Sequence, residues 1–285
     1  MIVASIRREL RQQANPARAR ISQRFFKTGP GEYGAGDRFV GLTVPQIRRL
    51  AQQYRLLPPT ATQQLLQSPI HEERLLALLI LVDAFAAADG VGQEQIYKIY
   101  LQNIQSINNW DLVDTSAPLI VGAFLWKRSK APLRQLARSA NLWERRIAMV
   151  ATLSMIRRGE FGPTLRLARQ LLVDREDLIH KAVGWMLREV GKRNRVVLEK
   201  FLRRYYRQMP RTMLRYAIEH FPKRRRLQYL RGGAEFAVKK YLRVNCNSGG
   251  PPVAGFADQW AGEGDRLING CRWKRASHRC RVLAE

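Results

Sequence analysis

The sequence predicts an all-α chain, a superhelix of stacked two-helix repeats, and three observations predict it. Apolar residues recur three and four apart through almost every segment up to about residue 231, with few alternating β-branched runs, so the period is helical. Helices opening near residues 72, 110, 143 and 177 are each followed by a shorter amphipathic helix, in the length range of HEAT-like repeats. The links between them are short, which favours antiparallel pairs. A helical bundle could show the same periods, but it would not need matching residues in register.

In chain order, the first predicted helices are 2–13 and 16–27, the second opened by Asn15-Pro16, and then 43–54, opened by Thr43. Helices over 60–67 and 72–88 are divided by Ser68-Pro69, and 92–106 begins at Gly92. Asn109 is a good cap for 109–128, where Asp111 in the first turn complements the helix dipole. Segments 131–140, 142–158 and 161–172 follow, then 175–192 with a start signal at Asp174, 194–208, 211–220 and a last turn near 223–230. Residues 1–232 are thus expected to form one repeat domain with a concave basic groove. Residues 233–285 differ in kind: glycines and Pro251-Pro252 break any helix, no apolar period is sustained, and a disordered, solvated basic tail is predicted.

Charge narrows the function classes. The 285 residues carry 50 Lys and Arg against 23 Asp and Glu, a net charge of +27, which points to a polyanionic partner such as nucleic acid or anionic lipid. Of these, 41 basic and 18 acidic residues precede residue 233, so the excess belongs to the predicted folded body rather than to the tail. The start MIVASIRREL lacks the long apolar run of a secretory signal, and the apolar stretch Leu75–Ala88 is interrupted by Asp83 and too short to span a bilayer, so a cytoplasmic protein is expected. Cys246, Cys271 and Cys280 all lie in the tail; with His278 they lack any paired Cys-x-x-Cys spacing, and no metal site is expected. The glycine-rich loop 29–37 lacks the Gly-Lys-Ser/Thr ending of a phosphate-binding loop. A membrane-surface role ranks last, because no long amphipathic helix with a bulky aromatic face is visible.

Four residues stand in repeat register. Trp110, Arg146 and Trp185 are separated by about one repeat each, and Asp114 shares the helix face of Trp110 four residues on. Stacked repeats would gather two aromatic planes, a carboxylate and a guanidinium on one patch, suited to a cationic or stacked base beside a phosphate backbone. Each residue has a bland alternative. Asp114 could form a salt bridge with Arg146, Arg146 could be a solvated arginine, and either tryptophan could fill core. Arg145 and Arg146 point about 100° apart on a helix, so only one faces the groove, and register selects Arg146. Gly184, directly before Trp185, implies close packing or ligand approach, since mid-helix glycine costs about 1 kcal/mol.

The segments FFKTGPGEYGAGDRFVGLTVPQIRRL, NNWDLVDTSAP, LWERRIAMV and HKAVGWMLREVGKR, within residues 16–231, resemble the AlkD family of DNA alkylation repair glycosylases, built from HEAT-like repeats. The resemblance implies excision of positively charged N3- and N7-alkylated purines from double-stranded DNA, without a cofactor and without flipping the lesion into a pocket. It implies that Trp110 and Trp185 are aromatic walls, Asp114 the catalytic carboxylate and Arg146 a backbone contact. The basic helix-end residues Arg145, Arg188, Lys192, Arg193 and Arg215 are further candidates for phosphates, and a monomer is expected. The competing reading is a noncatalytic repeat protein that binds nucleic acid or a protein partner.

Overall fold

Capping chemistry places most of the helix starts. In a computed structural model, which describes residues 2–232, α1 (Ile2–Gln12) is followed by α2 (Pro16–Phe25), whose cap Asn15 accepts from the Arg18 amide at 2.9 Å. At α3 (Val44–Gln53), Gln46 Oε1 accepts from both the amide and the hydroxyl of Thr43, at 2.9 and 2.7 Å. Then come α4 (Pro59–Leu66), α5 (His71–Ala87) and α6 (Gly90–Gln102), the last capped by Asp89 and so starting before the Gly92 expected.

The segment 109–128, expected as one helix, is broken. It consists of α7 (Trp110–Ser116), a π-helical turn (Pro118–Gly122) and α8 (Ala123–Leu125). Pro118 has no N–H to donate to the carbonyl four residues back, and the ladder widens so that the Gly122 amide reaches the Ala117 oxygen at 2.8 Å. After α9 (Ala131–Leu136), the segment 142–158 is likewise divided, into α10 (Leu142–Ala151) and α11 (Leu153–Ile156), with Thr152 turning its hydroxyl back to the Met149 carbonyl at 2.7 Å. The remaining helices are α12 (Gly162–Gln170), α13 (Asp177–Arg193), α14 (Arg195–Tyr205), α15 (Arg211–Ala217) and α16 (Lys223–Leu230). Among the described residues there is no strand, only a single parallel bridge between Arg38 and Ile70.

The helices form two layers. One row runs α3, α5, α7, α10, α13 and α15, each packed on the next, while α4, α6, α9, α12 and α14 form a second layer against members of that row. Helix α5 is buried on every side from His71 to Leu81 because α3, α4, α6 and α7 all pack on it, which explains why its sequence is apolar all round from Leu75 to Leu81. The row matters for function, since it makes neighbours of residues separated by one repeat. The predicted tail 233–285, including Cys246, Cys271, Cys280 and His278, lies outside the described residues.

Candidate active site

Asp114 sits in the last turn of α7 and meets α10 directly. Arg146 donates from Nε to Asp114 Oδ1 at 3.0 Å and from Nη2 to Oδ2 at 2.8 Å, a bidentate pair, while its Nη1 donates to the Leu178 carbonyl on α13 at 2.5 Å. One guanidinium therefore ties together three successive helices of the row. Arg146 is expected from the sequence either at a phosphate or in a salt bridge with Asp114; it is buried in the salt bridge, with 6% of its side-chain surface exposed against 19% for Asp114. Its planar fork positions the carboxylate rather than reaching outward. Burial pushes the Asp114 carboxyl above the usual aspartate range; Arg146 pulls it back and nearby Asp111 adds to the rise.

Asp114 and Trp185 line the same cavity, of about 440 Å³. Its walls come from α3 (Arg48, Gln52), α5 (Asp83), the π turn (Pro118, Leu119) and Arg157 just after α11, so the widening caused by Pro118 shapes the floor beside the carboxylate. Trp185 projects from the helix face next to Gly184. A Cβ on Gly184 would lie 2.5 Å from Tyr216 Cβ and 2.6 Å from the Met213 carbonyl, so this glycine serves close packing of α13 on α15.

Trp110 has a different setting. It lies one turn before Asp114 but does not line the cavity; it stacks on Phe26 at 5.4 Å and meets Phe25 edge-on at 5.9 Å. The structure thus brings Asp114, Arg146 and Trp185 together and places Trp110, partly exposed, beside them in an aromatic cluster. Asp111 has a partner the sequence did not suggest: its Oδ2 is 2.8 Å from Nε2 of buried His71.

Several expected phosphate contacts are held by protein groups. Arg145 donates to Asp174 at 2.7 Å and to the Ser139 and Ala140 carbonyls. Arg188 pairs with Glu219 and approaches Glu189, which also engages Lys192 at 2.7 Å and Arg193 at 3.9 Å. Arg215 is exposed on α15. Arg48 and Arg157, which sequence reasoning passed over, are exposed at the cavity and form no ion pair among the described residues. The signal for Arg48 was its spacing with Ala51 and Gln52 on one helix face; it lies ahead of the repeats that fixed the register.

These features define a class: a helical-repeat protein whose helix row presents a fixed carboxylate, a tryptophan and unpaired guanidiniums at one open cleft. A family model described as DNA alkylation repair enzyme matches residues 6–221, and the chain belongs to that family. Comparison with curated proteins finds no match. Among solved structures, the chain is similar to one described as a predicted DNA alkylation repair enzyme from Enterococcus faecalis, with 18% identity over 74% of this chain and 98% of that one and a TM-score of 0.57. A structure of AlkD2 from Streptococcus mutans aligns with 17% identity over 63% of this chain and 90% of that one, with a TM-score of 0.48. The first of these shows a shared fold. Among the described residues, no helix is long and apolar enough to cross a membrane.

Proposed function

We propose that this chain is a monofunctional DNA glycosylase that hydrolyses the N-glycosidic bond of cationic N3- and N7-alkylated purines in duplex DNA, with no cofactor and without base flipping. The observation that carries this reading is the Asp114 carboxylate, fixed by Arg146 and lining one open cavity with Trp185, Arg48 and Arg157. An alkylated purine is already a cation and leaves as a neutral base, so protonation by a general acid is unnecessary. As the C1′–N bond breaks, its electron pair goes to the purine and positive charge develops on the deoxyribose. A preorganised anion stabilises that charge and orients the water whose oxygen bonds to C1′ and whose proton passes to solvent. The ring of Trp185 at the cavity and, one turn before Asp114, the Trp110 face not stacked on Phe26 attract the cationic nucleoside. An open cleft avoids the unstacking cost of extruding a base, several kcal/mol in enzymes that flip.

Release of 7-methylguanine from alkylated duplex tests the assignment. Wild type should release it, and Asp114→Asn should lose about 10²–10³-fold in rate while remaining folded. Because the reactive form is the carboxylate and its pKa is raised, wild-type activity should fall on acidification from a pH above the ordinary aspartate range. Undiminished release by Asp114→Asn would sink the catalytic role, and equal affinity for alkylated and plain duplex without any release would favour a noncatalytic binder.

A further inference from the structure

His71, the first residue of α5, is 2% exposed and has a carboxylate at each ring nitrogen. Nδ1 lies 3.1 Å from Asp37 Oδ2, at the end of the glycine-rich loop, and Nε2 lies 2.8 Å from Asp111 Oδ2 on α7. A neutral imidazole has a single N–H and would set a lone pair against one of these oxygens; two acceptors require two donors, hence the imidazolium. Charge balance agrees. The groups facing the ring are Asp37, Asp111 and, from its own helix, Arg74, which donates to Asp37 Oδ1 at 2.7 Å. One more cation makes that buried group neutral. Asn108 and Asn109 supply uncharged donors to Asp37, while the neighbouring Glu72 and Glu73 are engaged by the Val40 and Gly41 amides and by Arg7. The ring packs against Phe39 at 4.5 Å and Phe26 at 5.0 Å, which stack on each other at 5.1 Å, and electron-rich rings suit a neighbouring cation.

This cation holds Trp110 in two ways. It binds Asp111, the next residue in the chain, and it packs on Phe26, whose ring also stacks on Trp110 at 5.4 Å. The latch also fixes the preceding loop, since the bridge at Arg38 sets the Arg38 carbonyl to accept from the His71 amide at 2.8 Å. We propose that His71 is a positioning residue, an imidazolium latch that fixes Trp110 one turn before Asp114, at the side of the cleft that Asp114 lines. Its catalytic consequence rests on the glycosylase reading; the latch itself does not. Burial alone would lower the imidazole pKa, but the bonds to Asp111 and Asp37 override it and hold it at about 9. With the folded value above the ordinary 6.5, the stabilisation is fully present below pH 6.5 and is lost as pH rises through about 9.

The test is a pair of measurements on the full chain. In ¹⁵N-resolved NMR of the histidine rings at pH 7.5, both His71 nitrogens should carry protons, with loss only near pH 9 and a concerted shift of the Trp110 indole signal, assigned through Trp110→Phe. A singly protonated ring at pH 7.5, or a Trp110 signal indifferent to the titration, overturns the latch whether or not the protein releases bases. In the second, His71→Gln, which keeps one donor, should lower kcat for 7-methylguanine release on the order of ten- to hundredfold with affinity for plain duplex unchanged. Wild-type kcat in a folded His71→Gln variant overturns the positioning role. Should that variant fail to fold, wild-type kcat across pH 8–10 replaces it, and a flat profile overturns the same claim. Failure of wild type to release base at any pH sinks the glycosylase reading, and the NMR result still decides the latch.

Discussion

Helix α7 carries two aspartates three residues apart, and their surroundings differ. Asp111 is paired with a buried imidazolium packed against Phe26 and Phe39, whereas Asp114 is paired with a guanidinium on one side and faces a cavity on the other. Both are carboxylates neutralised by a cation from a neighbouring helix of the row. The two carboxylates are almost equally exposed, 17% and 19% of side-chain surface, but only Asp114 lines the cavity, so only it can present charge to a ligand there. The difference lies in what each carboxylate faces, not in the pair itself.

The comparison breaks most sharply at Asp37, which anchors the His71 cluster by accepting from Arg74, His71, Asn108 and Asn109. Asp37→Ala leaves two buried cations short of a partner, and removing one side of a buried pair costs about 3–5 kcal/mol. Thermal unfolding should show a Tm lower by on the order of 10 °C. Asp114→Asn keeps an acceptor for Arg146 and should shift Tm far less. Comparable Tm losses in both would mean that Asp114 is a structural residue like Asp37.

A smaller effect is expected on the open side. Trp185→Ala removes the ring face at the cavity, and a desolvated cation–π contact is worth about 2 kcal/mol, or roughly thirtyfold in kcat/KM toward a cationic lesion. Trp185→Phe should retain most of it. Release of a cationic base at the wild-type rate by Trp185→Ala would place the lesion elsewhere.

How much of this was legible follows from range in sequence. The helical period and the one-repeat spacing of Trp110, Arg146 and Trp185 bring out the helix row and its shared face, because stacking converts a fixed sequence interval into contact. Register gives a face but not a rotamer, so Arg146 stays open between phosphate and Asp114 until its fork is seen on the carboxylate. Pro118 announces an interruption through its missing N–H, but not that the ladder would widen into a π turn at the cleft. The partners of Trp110 and Asp111 were harder to see: Phe26, Phe39 and Asp37 precede the repeats and no period links them to α7, while His71 opens the first repeat helix, 40 residues before Asp111, and that interval alone does not say that its ring meets the carboxylate. Asp111 therefore looked sufficient as a helix-dipole residue.

The subtlest contrast is between arginines already bound and arginines left over. Arg145 is saturated by Asp174 and two carbonyls, so presenting it to a phosphate would first require breaking those bonds. Arg48 and Arg157 stand exposed at the cavity without an ion pair among the described residues, so a phosphate meets them at no such cost. Each phosphate contact on duplex DNA contributes about −0.9 to the slope of log K against log salt. Arg48→Ala and Arg157→Ala should each flatten that slope by about one, measured on plain duplex by titration at several salt concentrations. Arg145→Ala should leave the slope unchanged and lower stability instead. A flattened slope for Arg145→Ala with none for Arg48→Ala would assign the DNA-facing role to the bound arginine, and would mean that its protein partners yield to the phosphate.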